Sequence, residues 1–316
     1  MIIVRSPLRI TLGGGGSDIP AYYEKYGGYT VSAAINKYVY VTITRPFFKG
    51  IFLKYSALER VERAEDVQHP AIREALMEYA PEDPQIEITS LADVPAGTGL
   101  GSSSSFTTAL IKALCAYYKK DIDARTLAAS ACEIEIHRLR QAIGKQDQYT
   151  AAFGGINGLA FDDVGQVSVE PIKMTNERLY ELEDDLLLFF TGAVHQASEV
   201  LQKSAVSDGG MLHSTGVIAG AVLRASSTDA LSTCLNSQWA YKKAQSPYAV
   251  TPQIEEWREL GLKNGAIGGK LVGAGGGGFL LFYVKDHSRL RRAMAKAGLE
   301  ELRFRFEFEG TKILVS

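Results

Sequence analysis

The run Pro95-Ala96-Gly97-Thr98-Gly99-Leu100-Gly101, continued by Ser102-Ser103-Ser104-Ser105, constrains this chain more than any other stretch. It follows an alternating segment, Ile86 to Ile88. It leads into Phe106, Leu110, Ile111, Leu114 and Tyr118, whose spacing of three and four residues predicts a helix. Glycine tolerates positive φ and lets a ligand come close to the backbone. Serine caps helices and adds hydroxyls. A glycine turn ending at a helix N-terminus aims unpaired N–H groups, and the positive end of the helix dipole, at an anion. The alternative is a serine-rich capped loop without a ligand. Alternating glycines followed at once by four serines favour a phosphate-binding loop.

Around that loop the pattern predicts an α/β (α+β) chain. Ile2 to Val4 and Leu8 to Leu12 read as short strands, with Pro7 arguing against a central position. Gly13 to Gly16 suits neither helix nor strand and marks a close backbone approach. Asp18 is expected to open a short helix from Ile19 to Tyr26, with Pro20 in its first turn. Tyr29 to Thr44 carries the strongest strand signal, with a break near Asn36-Lys37 and Ile51 to Tyr55 as its hairpin partner. Leu58 to Gln68 reads as a solvated surface segment. Asp123 or Ala124 opens a helix running to about Ala142. Beyond Gly192 helical patterns dominate, beginning with His195 to Val206. Strands at Lys270 to Val272 and Phe279 to Val284 then flank Gly273 to Gly278, and Leu302 to Phe308 alternates as a last strand. A boundary near 185–192 divides the chain into segments 1–188 and 189–316.

A net charge of -2, from 34 basic and 36 acidic residues, argues against a nucleic-acid surface. No long apolar run supplies a leader or spanning helix, so a soluble, cytoplasmic protein with no membrane partner is expected. Cys115, Cys132 and Cys234 are too scattered for a metal cluster. Gly273, Gly275 and Gly278 satisfy the dinucleotide pattern formally, but that fingerprint must open a helix, and a strand follows here. No Gly-Lys-Ser or Gly-Lys-Thr is present. A cation at the serine loop therefore needs a hydroxyl there and a carboxylate from elsewhere. Glu133, on a helix beside Ala129 to Cys132, is the candidate. Asp147 lies between a helix end and a Gly-Gly turn, placed either to take a hydroxyl proton or to form an Asx-turn. Asp18 is open between helix cap and ligand.

Three blocks carry a resemblance: Pro7-Leu8-Arg9 through Gly16-Ser17-Asp18, Pro95 to Ser105, and Lys270 to Phe279. Their order and character resemble the three motifs of the GHMP kinases, the superfamily of galactokinase, homoserine kinase, mevalonate kinase and phosphomevalonate kinase. The Tyr23 to Gly28, Leu53 to Ser56, His69-Pro70 and Gly144 to Gly155 segments are most similar to bacterial D-glycero-D-manno-heptose 7-phosphate kinases, with the fucokinase domain as a near relative. The resemblance implies a two-domain fold with ATP and sugar in the cleft between the domains. It implies that Pro95, Gly97, Thr98, Gly99, Leu100, Gly101, Ser102, Ser103 and Ser104 hold MgATP, with Ser103 and Glu133 on Mg²⁺. It further implies Asp147 as general base and Arg9 near the reacting oxygen. Gly14, Gly15, Gly16, Ser17, Asp18, Gly275, Gly276 and Gly277 would border the sugar. Where many heptose kinases have Thr-Gly followed shortly by arginine, this chain has Thr191-Gly192-Ala193-Val194-His195. Either His195 does the arginine's job less strongly, or the substrate lacks a distal phosphate, since histidine is not equivalent to arginine as a bidentate grip; His195 is carried as a sugar contact, with a structural histidine as the alternative. The expected reaction is ATP-dependent 1-phosphorylation of heptose 7-phosphate. The alternatives are a 1-kinase for an unphosphorylated sugar such as fucose, and a catalytically weak sensor. Arg45, Lys49 and Lys203 are the candidate grips for a distal phosphate; oligomeric state is open.

Overall fold

The computed structural model describes residues 1–82, 84–194, 210–225, 230–245 and 249–316. The strands are β1 Ile2–Gly13, β2 Gly28–Thr44, β3 Ile51–Lys54, β4 Leu58–Val61, β5 Ile86–Ala92, β6 Ile156–Phe161, β7 Val167–Pro171, β8 Leu186–Phe190, β9 Ala266–Leu271, β10 Phe279–Val284, β11 Glu300–Glu301 and β12 Lys312–Val315. The helices are α1 Pro20–Tyr26, α2 Pro70–Tyr79, α3 Ser102–Tyr117, α4 Ala124–Cys132, α5 Gln146–Phe153, α6 Asn176–Asp185, α7 Met211–Arg224, α8 Leu231–Gln245, α9 Pro252–Lys263 and α10 His287–Lys296. One sheet runs β12-β1-β2-β5-β3-β4, with β6 and β7 continuing from the first half of β2; the other runs β11-β8-β10-β9. This is an α/β fold with two lobes, the C-terminal strand returning to the first sheet. No described helix is long and apolar enough to cross a membrane.

The first sheet is organised by a fault between β1 and β2. The two strands pair along their length, but the register shifts at Pro7/Leu8, where Asn36 and Lys37 are looped out between the pairs Pro7–Tyr38 and Leu8–Ile35. Pro7 therefore sits inside a central strand, contrary to expectation. It is tolerated because β12 pairs only with Ile3, Val4 and Arg5 and stops short of it. The bulge also turns β1 over. Ile2 and Val4 pack among Ile43, Leu110 and Leu114. Leu8, Ile10 and Leu12, of the same parity, pack instead beneath the second sheet with Leu188, Leu281 and Leu235. That turn leaves Arg9 and Thr11 facing α5.

Other expectations are corrected locally. Ile51–Lys54 does not pair with β2: it runs parallel to β5 and forms its hairpin with Leu58–Val61, part of the stretch read as solvated surface. Leu302 to Phe308 does not form a regular strand, its one ladder contact being Phe306 with Ile35. The helix expected over His195 to Val206 lies outside the described residues.

Candidate active site

Helix α3 begins as the serine run predicts. Gly101 sits at its N-cap in the left-handed region, at φ 76°, with no capping side chain. Ser105 N–H makes the first bond of the ladder, to Gly101 O at 3.0 Å, so the amides of Ser102, Ser103 and Ser104 precede it. Gly97 and Gly99 also have positive φ. The loop is fixed from behind by Arg9 N–H to Leu100 O at 2.9 Å, and Leu100 is buried. Thr98 closes its own turn on Pro95 O.

Arg9 and Asp147 meet in front of that helix end. Arg9 donates from Nε to Asp147 Oδ1 and from Nη2 to Oδ2, each at 2.6 Å, and from Nη1 to Gly99 O. This is the planar fork that arginine makes with a carboxylate. A Cβ on Gly101 would lie 3.1 Å from Asp147 Oδ2 and 3.2 Å from Arg9 Cγ, so the pair is stacked directly on the loop. Asp147 keeps 22% of its side-chain exposure against 6% for Arg9, which makes the carboxylate the accessible partner.

Asp18 is no helix cap. Ile19 takes that position, and Asp18 instead accepts from Gly16 N–H at 3.0 Å and Gln146 N–H at 3.1 Å. A Cβ on Gly144 would fall 1.9 Å from Asp18 Oδ2, so only glycine there admits the carboxylate. Burial, and then the neighbouring Asp147 charge, push its pKa up to about 6. Since this lies above the unfolded value, the fold gains from the neutral form below about pH 4 and loses that gain as pH rises through about 6. The ionised form, which can accept hydroxyl hydrogen bonds through both oxygens, is populated above about pH 6. The KM for the sugar is therefore expected to rise several-fold as pH falls from 7.5 to 5.5, with the KM for ATP changing less. Parallel pH profiles of the two KM values check this, and a flat sugar profile excludes an ionised Asp18 from binding.

Two of the candidate residues have other tasks. The hydroxyl of Ser17 is buried and bonded to both Tyr29 O and Tyr29 N, each at 3.1 Å, so it locks the Gly13–Gly16 loop and faces no ligand. Glu133 is exposed and lies 3.8 Å from Arg138. The carboxylate beside the serines is that of Glu135, fully buried, which accepts from Ser103 Oγ at 3.3 Å, Ser104 Oγ at 2.8 Å, Thr107 Oγ1 at 2.9 Å and Gln148 Nε2 at 2.6 Å. Burial raises its pKa, against the pull of these donors. Glu133–Arg138 form a π-helical segment, in which Leu139 N–H reaches back five residues to Ile134 O. Glu135 also lies four residues after Ala131 and seven after Ala128, both buried, and that spacing was the available signal.

The glycines of the third block seat the first loop. A Cβ on Gly273 would fall 2.5 Å from Gly99 Cα, and one on Gly278 2.2 Å from Thr98 O. Gly276 N–H donates to Ala249 O at 2.8 Å, and Gly275 packs on Ala249, so both glycines brace their own loop. Gly14 is pressed on Tyr29 O and Gly216, while Gly15 lies on Thr11. Gly277 belongs to the same buried turn. His195 and Lys203 lie outside the described residues. Arg45 is bonded to Gln85 two residues beyond Ile43, the β2 partner of Ile2, some nine strand positions from Arg9, about 30 Å at strand rise. It does not reach the Asp147 site. Lys49 follows in the same connection.

The fit of the expected groups can be judged from these donors. Positive-φ glycines at a helix start provide amides for phosphate oxygens. Ser103 and Glu135 offer hard oxygen donors, and the buried Gln148 Oε1 beside them has no partner. No cluster of three or more ligating side chains occurs among the described residues. That suits Mg²⁺, which takes one or two protein oxygens and completes its shell with phosphate and water.

Known proteins resemble this chain in sequence and fold. Residues 66–155 match the GHMP kinases N terminal domain and residues 221–300 the GHMP kinases C terminal model. The chain is 30% identical to the D-glycero-alpha-D-manno-heptose 7-phosphate kinase of Campylobacter jejuni, over 98% of each protein. It is 26% identical to the L-fucokinase/L-fucose-1-P guanylyltransferase of Bacteroides fragilis, over 89% of this chain and 34% of that one. A D-glycero-D-manno-heptose 1-phosphate kinase structure from Bacteroides thetaiotaomicron superposes with a TM-score of 0.83 at 26% identity, covering 100% of this chain and 99% of the other. With conserved fold, motif order and near-complete coverage together, the chain belongs to the GHMP kinases.

Proposed function

We propose that the protein transfers the γ-phosphoryl group of ATP to the anomeric hydroxyl of D-glycero-D-manno-heptose 7-phosphate, giving the 1,7-bisphosphate. The observation that carries the reading is the Arg9–Asp147 fork stacked on Gly101 at the start of α3, with Asp18 beside it. Phosphoryl transfer needs in-line placement of the acceptor and compensation of charge on the transferring oxygens. Amides of Ser102 to Ser104 and the Arg9 guanidinium supply positive potential at that place. Asp18 holds sugar hydroxyls. Asp147 takes the proton of the attacking hydroxyl as the new P–O bond forms and the β–γ bridging P–O bond breaks. Mg²⁺, held by Ser103 and Glu135, would supply further charge compensation on the phosphates.

A 1-kinase for an unphosphorylated sugar is the second reading. It is favoured by the fucokinase likeness and by Arg45 standing well away from the Arg9–Asp147 pair. ADP release with Mg²⁺ and ATP decides between them across heptose 7-phosphate, the same heptose unphosphorylated, fucose, galactose and mannose. Selective turnover of heptose 7-phosphate supports the first reading. Preference for an unphosphorylated sugar selects the second, and ATP binding without turnover on any sugar removes both.

A further inference from the structure

Helix α8 carries two long polar side chains one turn apart, the buried Gln238 and the half-buried Lys242, and neither has a part in the reaction described above. Gln238 donates to Leu12 O at 3.0 Å and accepts from Lys270 Nζ at 2.6 Å. It thus joins the end of β1, where the Gly13–Gly16 loop starts, to β9. Lys242 Nζ donates to Leu271 O at 3.2 Å and to Gly273 O. These two carbonyls open the Gly273–Gly278 turn. Gly273 in turn lies against Gly99, and Gly99 O accepts from Arg9, which holds Asp147. The contacts form one unbroken path from α8 to the reacting pair.

Lys242 is costly to keep there. Among the described residues no carboxylate pairs with it, and the charged groups that act on it and that it acts on are the cations Arg9 and Lys270. Burial and the Arg9 charge lower its pKa to about 8.

We infer that Lys242 is a positioning residue that fixes the Gly273–Gly278 turn against the Gly97–Gly101 loop, and thereby holds Arg9 and Asp147 in register with the start of α3. The kinetic side of this inference rests on the kinase reading; the structural side does not. The first readout is amide hydrogen exchange of segments 97–101 and 273–278 in the ligand-free protein. Lys242→Met is expected to speed exchange on the order of tenfold in both segments, while Lys242→Arg, which keeps the charged donors, stays within about threefold of wild type. Unchanged exchange in Lys242→Met, or faster exchange confined to 273–278, overturns the inference. Should Lys242→Met fail to fold, Lys242→Gln is read in its place. The second readout is kinetic. A misplacement of this kind is expected to lower kcat by about 10- to 100-fold with the KM for ATP within about threefold, and Lys242→Arg recovers most of the loss. A rise in KM alone would make Lys242 a nucleotide-binding group and overturn the positioning role. If wild type turns over none of the sugars, the exchange result still decides, and only the kinase reading fails.

Discussion

Asp147→Asn is expected to lower turnover by about 10²- to 10⁴-fold, with ATP and sugar still bound. The amide cannot take up the hydroxyl proton. It also turns an N–H₂ group toward one arm of the Arg9 fork, where two oxygens now accept at 2.6 Å each. Two comparisons separate lost basicity from lost geometry. Arg9→Lys keeps the charge and removes the fork, so it reports what alignment alone contributes. Equilibrium binding of ATP to Asp147→Asn reports whether the loop behind the pair is intact. Near-wild-type kcat in Asp147→Asn, with both substrates bound, would remove Asp147 as the base.

The second large effect distinguishes two glutamates two positions apart. Glu135→Gln is expected to reduce kcat roughly 10²-fold or more, in keeping with the several kcal/mol that a positioned metal ion supplies. Part of the loss should be recovered by raising Mg²⁺. Glu133→Gln is expected to stay within about twofold of wild type, because its carboxylate is exposed and lies beside Arg138. Glu135→Gln also leaves Ser104, Thr107 and Gln148 with a poorer acceptor, at a stability cost of about 1–3 kcal/mol. Thermal unfolding of both variants is therefore measured with the kinetics. Loss in Glu133→Gln with Glu135→Gln unaffected would return the ligand role to Glu133.

The sequence was informative where one side chain's environment is set by its own neighbours along the chain. The glycine and serine run declared a helix start, and Ser102 is where α3 begins. Phe279–Val284, uniformly apolar, could only be an enclosed strand, and all of it is buried. It was less informative where a single shift in geometry redirects a residue. Glu133 and Glu135 look alike as acids on one predicted helix, and only the face that Glu135 shares with the buried Ala128 and Ala131 puts its carboxylate beside the serines. Ser17 and Asp18 look alike as polar neighbours of a glycine loop. Only the approach of Tyr29 and of Gly144, distant in sequence, gives one a backbone clip and the other a buried carboxylate. Lys242 and Lys243 are adjacent lysines with opposite surroundings. Lys243 does pair at the surface with Glu255 at 3.0 Å, whereas Lys242 turns inward to Gly273. Pro7 was weighed as a local strand breaker, and the bulge that accommodates it is a property of two strands together.

The pairing of Ile3 with Val315 has a kinetic meaning. Closing a long loop adds little to the equilibrium cost, since that entropy grows only as about (3/2)RT ln n. Folding rates, by contrast, fall as contacts become more distant in sequence. The strand that carries Arg9 is therefore expected to have its second edge sealed late in folding. In a refolding experiment, recovery of turnover should trail recovery of helical circular dichroism, so that activity reports the finished sheet.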